Sequence, residues 1–129
     1  MKFPVDLKYS KEHEWIRVEQ NIAIIGITDY AQKELGEVVF VDLPKIGRLL
    51  KAHETFGIVE SVKAVSDLFC PVTGKIVKNN ANLDENPELI NTDPYGEAWI
   101  IQVEMSNPTE LNNLLSAQEY EAYVAEEKK

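Results

Sequence analysis

The chain has 129 residues, 44% hydrophobic and 27% charged, the size and balance of one globular domain that can bury roughly two-thirds of its unfolded surface without a metal or disulfide. Thirteen Lys and Arg against 22 Asp and Glu leave a net charge of −9, which argues against nucleic acid, whose phosphates call for a basic face, and against anionic lipid. The single cysteine, Cys70, cannot form an internal disulfide or a thiolate metal site, and two histidines, His13 and His53, supply little for metal or acid–base chemistry.

In chain order, the start MKFPVDLKYS lacks the apolar core of a secretory signal. Residues 15–18 alternate, and a turn at 19–21 leads into the apolar run 22–27, which predicts a hairpin. That run falls far short of the ~20 residues a membrane helix needs. Thr28 caps a short helix through Leu35, with Gly36 as its stop. Residues 38–43 have the β-branched and aromatic composition of a buried strand, and Pro44 and Gly47 bracket a turn. Two extended stretches follow at 55–61 and 62–68, then a turn at 71–74 and a strand at 75–78. The last strand spans 98–104, with Trp99, Ile101 and Val103 on one face.

Asn107-Pro108 opens a second helix with an apolar stripe of Leu111, Leu114 and Leu115. Ser116 and Glu119 form the capping box of a third, whose stripe is Tyr120, Tyr123 and Val124. The acidic residues at 119, 121, 126 and 127 are expected on its solvated face, and 126–129 are expected to fray. No low-complexity linker divides the chain, so residues 1–129 read as a single domain.

Gly47-Arg48-Leu49-Leu50-Lys51 resembles Gly74-Lys75-Ile76-Val77-Lys78: a turn glycine, a basic residue, two aliphatics and a lysine. The repetition predicts two similar halves about a pseudo-twofold axis, with the connection between them projecting as a hairpin. Lys63 falls near its tip. A lysine so placed can be offered to a modifying enzyme, and acylation turns its ammonium into a neutral amide. On the residues alone, a solvated turn lysine, one of several, is the favoured reading. His13 reads as a structural, partly buried histidine, His53 as a surface one and Cys70 as a packed thiol. Trp15 and Trp99 read as core or groove wall.

The stretch from Phe56 to Ala64, FGIVESVKA, resembles the lipoylation segment of the glycine cleavage system H-protein family. So do EHEW at 12–15, GITDYAQ at 26–32, LGEVVFVDLP at 35–44, PELIN at 87–91 and PYG at 94–96 followed by Trp99, in the family's order. The resemblance implies a mainly β fold, a barrel-sandwich hybrid of the lipoyl/biotinyl type with short helices, including C-terminal ones. It implies a carrier rather than an enzyme, with lipoic acid joined to Lys63 as an amide and no metal.

By the same resemblance, the arm takes the aminomethyl group of glycine from glycine decarboxylase to the aminomethyltransferase, and dihydrolipoyl dehydrogenase reoxidises it. Lipoate-attaching enzymes are further partners. Glu14 and Asp67 match positions of a groove that shelters the loaded arm, where a carboxylate would pair its ammonium; solvated surface charges are the alternative. Glu12 stands where some relatives have a smaller polar residue. Rival functions are relay of lipoyl groups to 2-oxoacid dehydrogenase subunits, a lipoyl or biotinyl domain of another complex, and a binding module with unmodified Lys63. Biotin carriers usually bear Met beside the lysine, where this chain has Val62 and Ala64. The expected location is a bacterial cytoplasm, or the mitochondrial matrix for a processed chain.

Overall fold

A computed structural model describes residues 1–128. The alternating run near the start folds as expected. After the short β1 (Lys8–Tyr9), β2 (Glu14–Glu19) and β3 (Ile22–Ile27) pair antiparallel from Glu14↔Ile27 to Glu19↔Ile22. Gln20, at φ 55°, closes the turn between them. β3 continues the sheet through β9 (Ile101–Met105), β8 (Gly74–Asn79) and β5 (Leu49–Leu50), in the order β1-β2-β3-β9-β8-β5. A second sheet holds β4 (Val38–Asp42), β6 (Thr55–Ser61) and β7 (Val65–Phe69), with β6 central. The mainly β architecture with short helices is the one the resemblance implied.

The repeated segments meet each other. Leu49 pairs with Lys75 and Leu50 with Gly74, while the Gly47 amide donates to the Ile76 carbonyl and the Ile76 amide to the Arg48 carbonyl. Two like segments paired antiparallel in this register are related by a local twofold, and the β6–β7 hairpin lies on the connection between them.

Inward side chains of both sheets form the main core, including Ile16, Ile25, Val41, Phe56, Val59, Leu68, Ile76 and Val103. Each is all but sealed from water, and burial of one such side chain is worth about 1.5–3 kcal/mol. A second, aromatic cluster of Tyr9, Trp15, Tyr30 and Tyr120 seats α4 (Ala117–Glu127) against β1 and β2. Tyr9 and Tyr120 stack there with ring centroids 4.7 Å apart. α4 begins at the expected capping box, with both reciprocal bonds between Ser116 and Glu119.

α1 (Asp29–Leu35) starts where Thr28 Oγ1 accepts the Ala31 amide and stops at Gly36, φ 80°. Two one-turn helices were not foreseen, α2 (Asn82–Glu85) and α3 (Leu89–Thr92). They deliver Leu83 and Ile90 into the core.

Four expectations change. The helix after Asn107 is a 3-10 helix, Pro108–Asn113, that ends before Leu114. Leu115 instead exchanges two backbone hydrogen bonds with Tyr9, of 2.9 and 2.8 Å, which draws the chain out of the helix. The last strand starts at Ile101, because the amides of Ala98 and Trp99 are taken by the Asp93 and Gly96 carbonyls. Trp99 packs with the aromatic cluster and not beside Ile101 and Val103. Residues 62–64 form a turn, so the second arm of that hairpin begins at Val65. α4 runs on through Glu127 rather than fraying at 126; Lys129 lies outside the described residues.

Within the second sheet, β6 passes close against β4 at Gly57. A Cβ there would stand 2.3 Å from the Asp42 carbonyl oxygen, a backbone atom of the paired strand β4. Gly57→Ala therefore destabilises the domain by about 3 kcal/mol; a urea midpoint within error of the parent would show that β4 and β6 part at no cost.

Candidate functional site

Lys63 sits at the tip of the β6–β7 hairpin. Ser61 orders the turn: its amide donates to the Ala64 carbonyl over 2.8 Å, and its hydroxyl accepts the amides of Ala64 at 3.0 Å and Lys63 at 3.3 Å. The Val62 amide donates to the Glu37 carbonyl, 2.9 Å away, and so ties the tip to the segment entering β4. Lys63 is exposed, and its stem passes Gly36, where a Cβ would lie 3.4 Å from Lys63 Cε. Among the described residues its ammonium has no hydrogen-bond or ion-pair partner. The tip thus combines a fixed backbone with a free amine.

Beside the tip lies a groove of about 410 Å³. Ile27, Leu35, Val59 and Leu68 give it apolar walls, and Ala64 and Val65 of the hairpin form its rim. Glu12, Glu14, Glu34, Asp67 and Glu127 also line it, brought from the β1–β2 turn, β2, α1, β7 and α4. Apolar walls with convergent carboxyl groups suit a ligand that is hydrocarbon along its length and cationic at its end.

Glu14 and Asp67, the two expected groove residues, share this cavity but differ in kind. Asp67 is exposed. Glu14 is 1% exposed, so the reading of it as a solvated surface charge does not hold. Its Oε1 receives the Ser10 hydroxyl at 2.5 Å and its Oε2 the Phe69 amide at 3.3 Å. Burial pushes the Glu14 carboxyl up to about 8; the two hydrogen bonds favour the charged form without overcoming burial, and the charge of Glu12 adds to the rise.

The remaining singled-out residues fall as follows. His13 is half-buried with φ 74°, its Nδ1 2.8 Å from the Tyr120 hydroxyl and its Nε2 3.0 Å from Glu127 Oε2. It is structural, as expected, and it pins the end of α4 over the groove. Glu127 is accordingly not a plain solvated charge. His53 is exposed, 3.9 Å from Glu12. Cys70 is buried, its thiol donating to the Val72 carbonyl, and burial pushes it up to about 12, as suits a packed thiol. Trp15 is fully buried and donates to the Pro94 carbonyl over 2.9 Å. Among the described residues, no His, Cys, Asp and Glu group is arranged to hold a metal ion, and no helix is long and apolar enough to cross a membrane. Sequence reading missed Tyr30 and Glu34 as groove residues and Ser10 as the hydrogen-bond partner of Glu14; Tyr30 falls within the GITDYAQ stretch, but no spacing marks any of the three for these roles.

The glycine cleavage H-protein family model matches residues 7–127. The chain belongs to the glycine cleavage H-protein family. It is 64% identical over 123 residues to the H protein of Symbiobacterium thermophilum, covering 95% of this chain and 96% of the relative. To the H protein of Carboxydothermus hydrogenoformans it is 57% identical over 124 residues, covering 96% and 95%. The crystal structure of a glycine cleavage H protein from Mycobacterium marinum superposes with a TM-score of 0.88 at 38% identity, covering 95% of this chain and 98% of that one. H-protein membership implies a carrier component of the glycine cleavage system, of a kind that generally bears lipoate.

Proposed function

We propose that this chain is the lipoyl carrier of a glycine cleavage system, non-catalytic by itself, with lipoate joined in amide linkage to Lys63 Nζ. It takes the aminomethyl group of glycine from glycine decarboxylase to the aminomethyltransferase, and dihydrolipoyl dehydrogenase restores its oxidised state. The observation that supports this most is the juxtaposition of a free amine on an ordered hairpin tip with an apolar, acid-lined groove. Lipoate, when bound, supplies the sulfur chemistry.

The chain's own residues do three things. Ser61 and the Val62–Glu37 bond hold the tip so that Nζ is presented to a lipoate-attaching enzyme. Ile27, Val59 and Leu68 exclude water from whatever lies in the groove. Glu14 and Asp67 pair with a primary ammonium brought there, and a buried carboxylate does so more strongly than an exposed one. Tethering gives each docked enzyme a high effective concentration of the carried group. The partners and the carrier share one compartment, a bacterial cytoplasm.

Intact mass with peptide mapping tests the attachment. Chain produced in lipoate-replete cells carries one lipoyl adduct, on Lys63. An adduct on another lysine, or none, removes Lys63 from this role.

A further inference from the structure

Ser10 directs nearly all of its polar groups at Glu14. Its hydroxyl donates to Glu14 Oε1 over 2.5 Å and accepts the Glu14 amide over 3.0 Å, and its amide donates to the Glu14 carbonyl over 2.9 Å. Its carbonyl accepts the His13 amide at 3.1 Å, which closes the tight turn 10–14 with His13 at φ 74°. Ser10 is 5% exposed, so water competes little for these bonds. A serine hydroxyl has one proton to donate. The Glu14 amide occupies an acceptor position on it and thereby turns that proton toward the carboxyl group.

We propose that Ser10 is a positioning residue of the groove: it fixes the orientation of Glu14 and keeps its carboxyl able to carry charge against a primary ammonium brought in on Lys63. The inference rests on the function proposed above. Its physical basis is the lack of other compensation. Among the described residues no cation pairs with Glu14. The groups that face the groove from the surrounding elements are Glu12 and His13 from the turn, Tyr30 and Glu34 from α1, Asp67 from β7 and Glu127 from α4. His13 is committed to Tyr120 and Glu127, and the acidic ones disfavour a further negative charge. The Phe69 amide, at 3.3 Å, is the longer of the two hydrogen bonds to the carboxyl oxygens. The Ser10 hydroxyl is therefore the principal donor that favours the ionised form.

The test uses Ser10→Ala, Ser10→Thr and Glu14→Gln in the full chain. Carbon-13 NMR of the Glu14 carboxyl in the unmodified protein reads the first effect. In Ser10→Ala, Glu14 binds its proton about tenfold more tightly, and Ser10→Thr, which keeps the hydroxyl, restores the parent titration. A purely structural serine would lower the melting temperature and leave that titration in place; an unmoved titration in folded Ser10→Ala overturns the inference. The second readout is the half-life of the aminomethyl-loaded, lipoylated chain against water. Ser10→Ala shortens it about tenfold and Ser10→Thr does not. If Glu14→Gln shortens the half-life and Ser10→Ala leaves it unchanged, the Ser10 inference alone fails. If Glu14→Gln itself leaves it unchanged, the groove reading fails with it.

Discussion

Lys63→Arg gives a folded chain that supports no glycine-dependent formation of methylenetetrahydrofolate above a control lacking the carrier. Retention of the fold follows from how the tip is built. The bonds that shape it come from the Ser61 amide and hydroxyl and from the Val62 amide, and none uses the side chain at 63. Lys63 is exposed, and an exposed substitution away from caps and buried bonds changes stability by about 0.5 kcal/mol or less. Loss of turnover is complete because the change removes the attachment atom. A guanidinium keeps the charge but stays protonated at any usable pH and offers no free amine to acylate. The comparison is a melting curve, an intact mass and a reconstituted assay with the three partner enzymes, for parent and variant side by side. Turnover well above the control in the unmodified variant would refute the tethered-arm mechanism.

What could be read from the sequence divides along the range of the interactions involved. The β2–β3 hairpin and the capping box of α4 rest on residues within a few positions of each other, so alternation and spacing expose them. Lys63 belongs to the same class: the turn at 62–64 is made by Ser61, two residues away. Glu14 is the opposite case. Its neighbours Glu12 and His13 are polar, and the pattern around it looks like surface. Its burial depends on Phe69, 55 residues on, and on α4, held to this turn by His13–Tyr120 and His13–Glu127. Ser10 was hidden for a related reason, since serine four residues before a carboxylate is ordinary in any turn and its role depends on the exclusion of water. α2 and α3 are one turn each, too short for a helical period to show. The 3-10 helix departs from the leucine stripe because Leu115 is held by Tyr9, a strand bond 106 residues away in sequence that no local pattern encodes.

Glu14→Gln makes the domain more stable at pH 8 and above while it impairs retention of an aminomethylated arm. The Glu14 carboxyl lies near 4.5 in the unfolded chain and is raised to about 8 by burial in the folded one. The folded state therefore holds this proton more tightly. The resulting stabilisation is fully present below about pH 4.5 and is lost as pH rises through about 8. A displacement of that size is worth on the order of 5 kcal/mol, a large part of the 5–15 kcal/mol that typically holds a domain together. Glutamine keeps the shape of the side chain and does not titrate, so this site's contribution becomes independent of pH. Urea unfolding at pH 5, 7 and 9 compares the two: the parent loses stability across that window and the variant loses much less. Parallel profiles would mean that Glu14 ionises in the folded chain as easily as in the unfolded one. The cost of a buried carboxyl has a functional counterpart. A neutral amide cannot pair an ammonium, whereas Glu14 can release its proton when a cation enters the groove and gain a charge-assisted bond in a site shielded from water. A residue whose burial weakens the fold at alkaline pH is thus also well placed to hold the loaded arm.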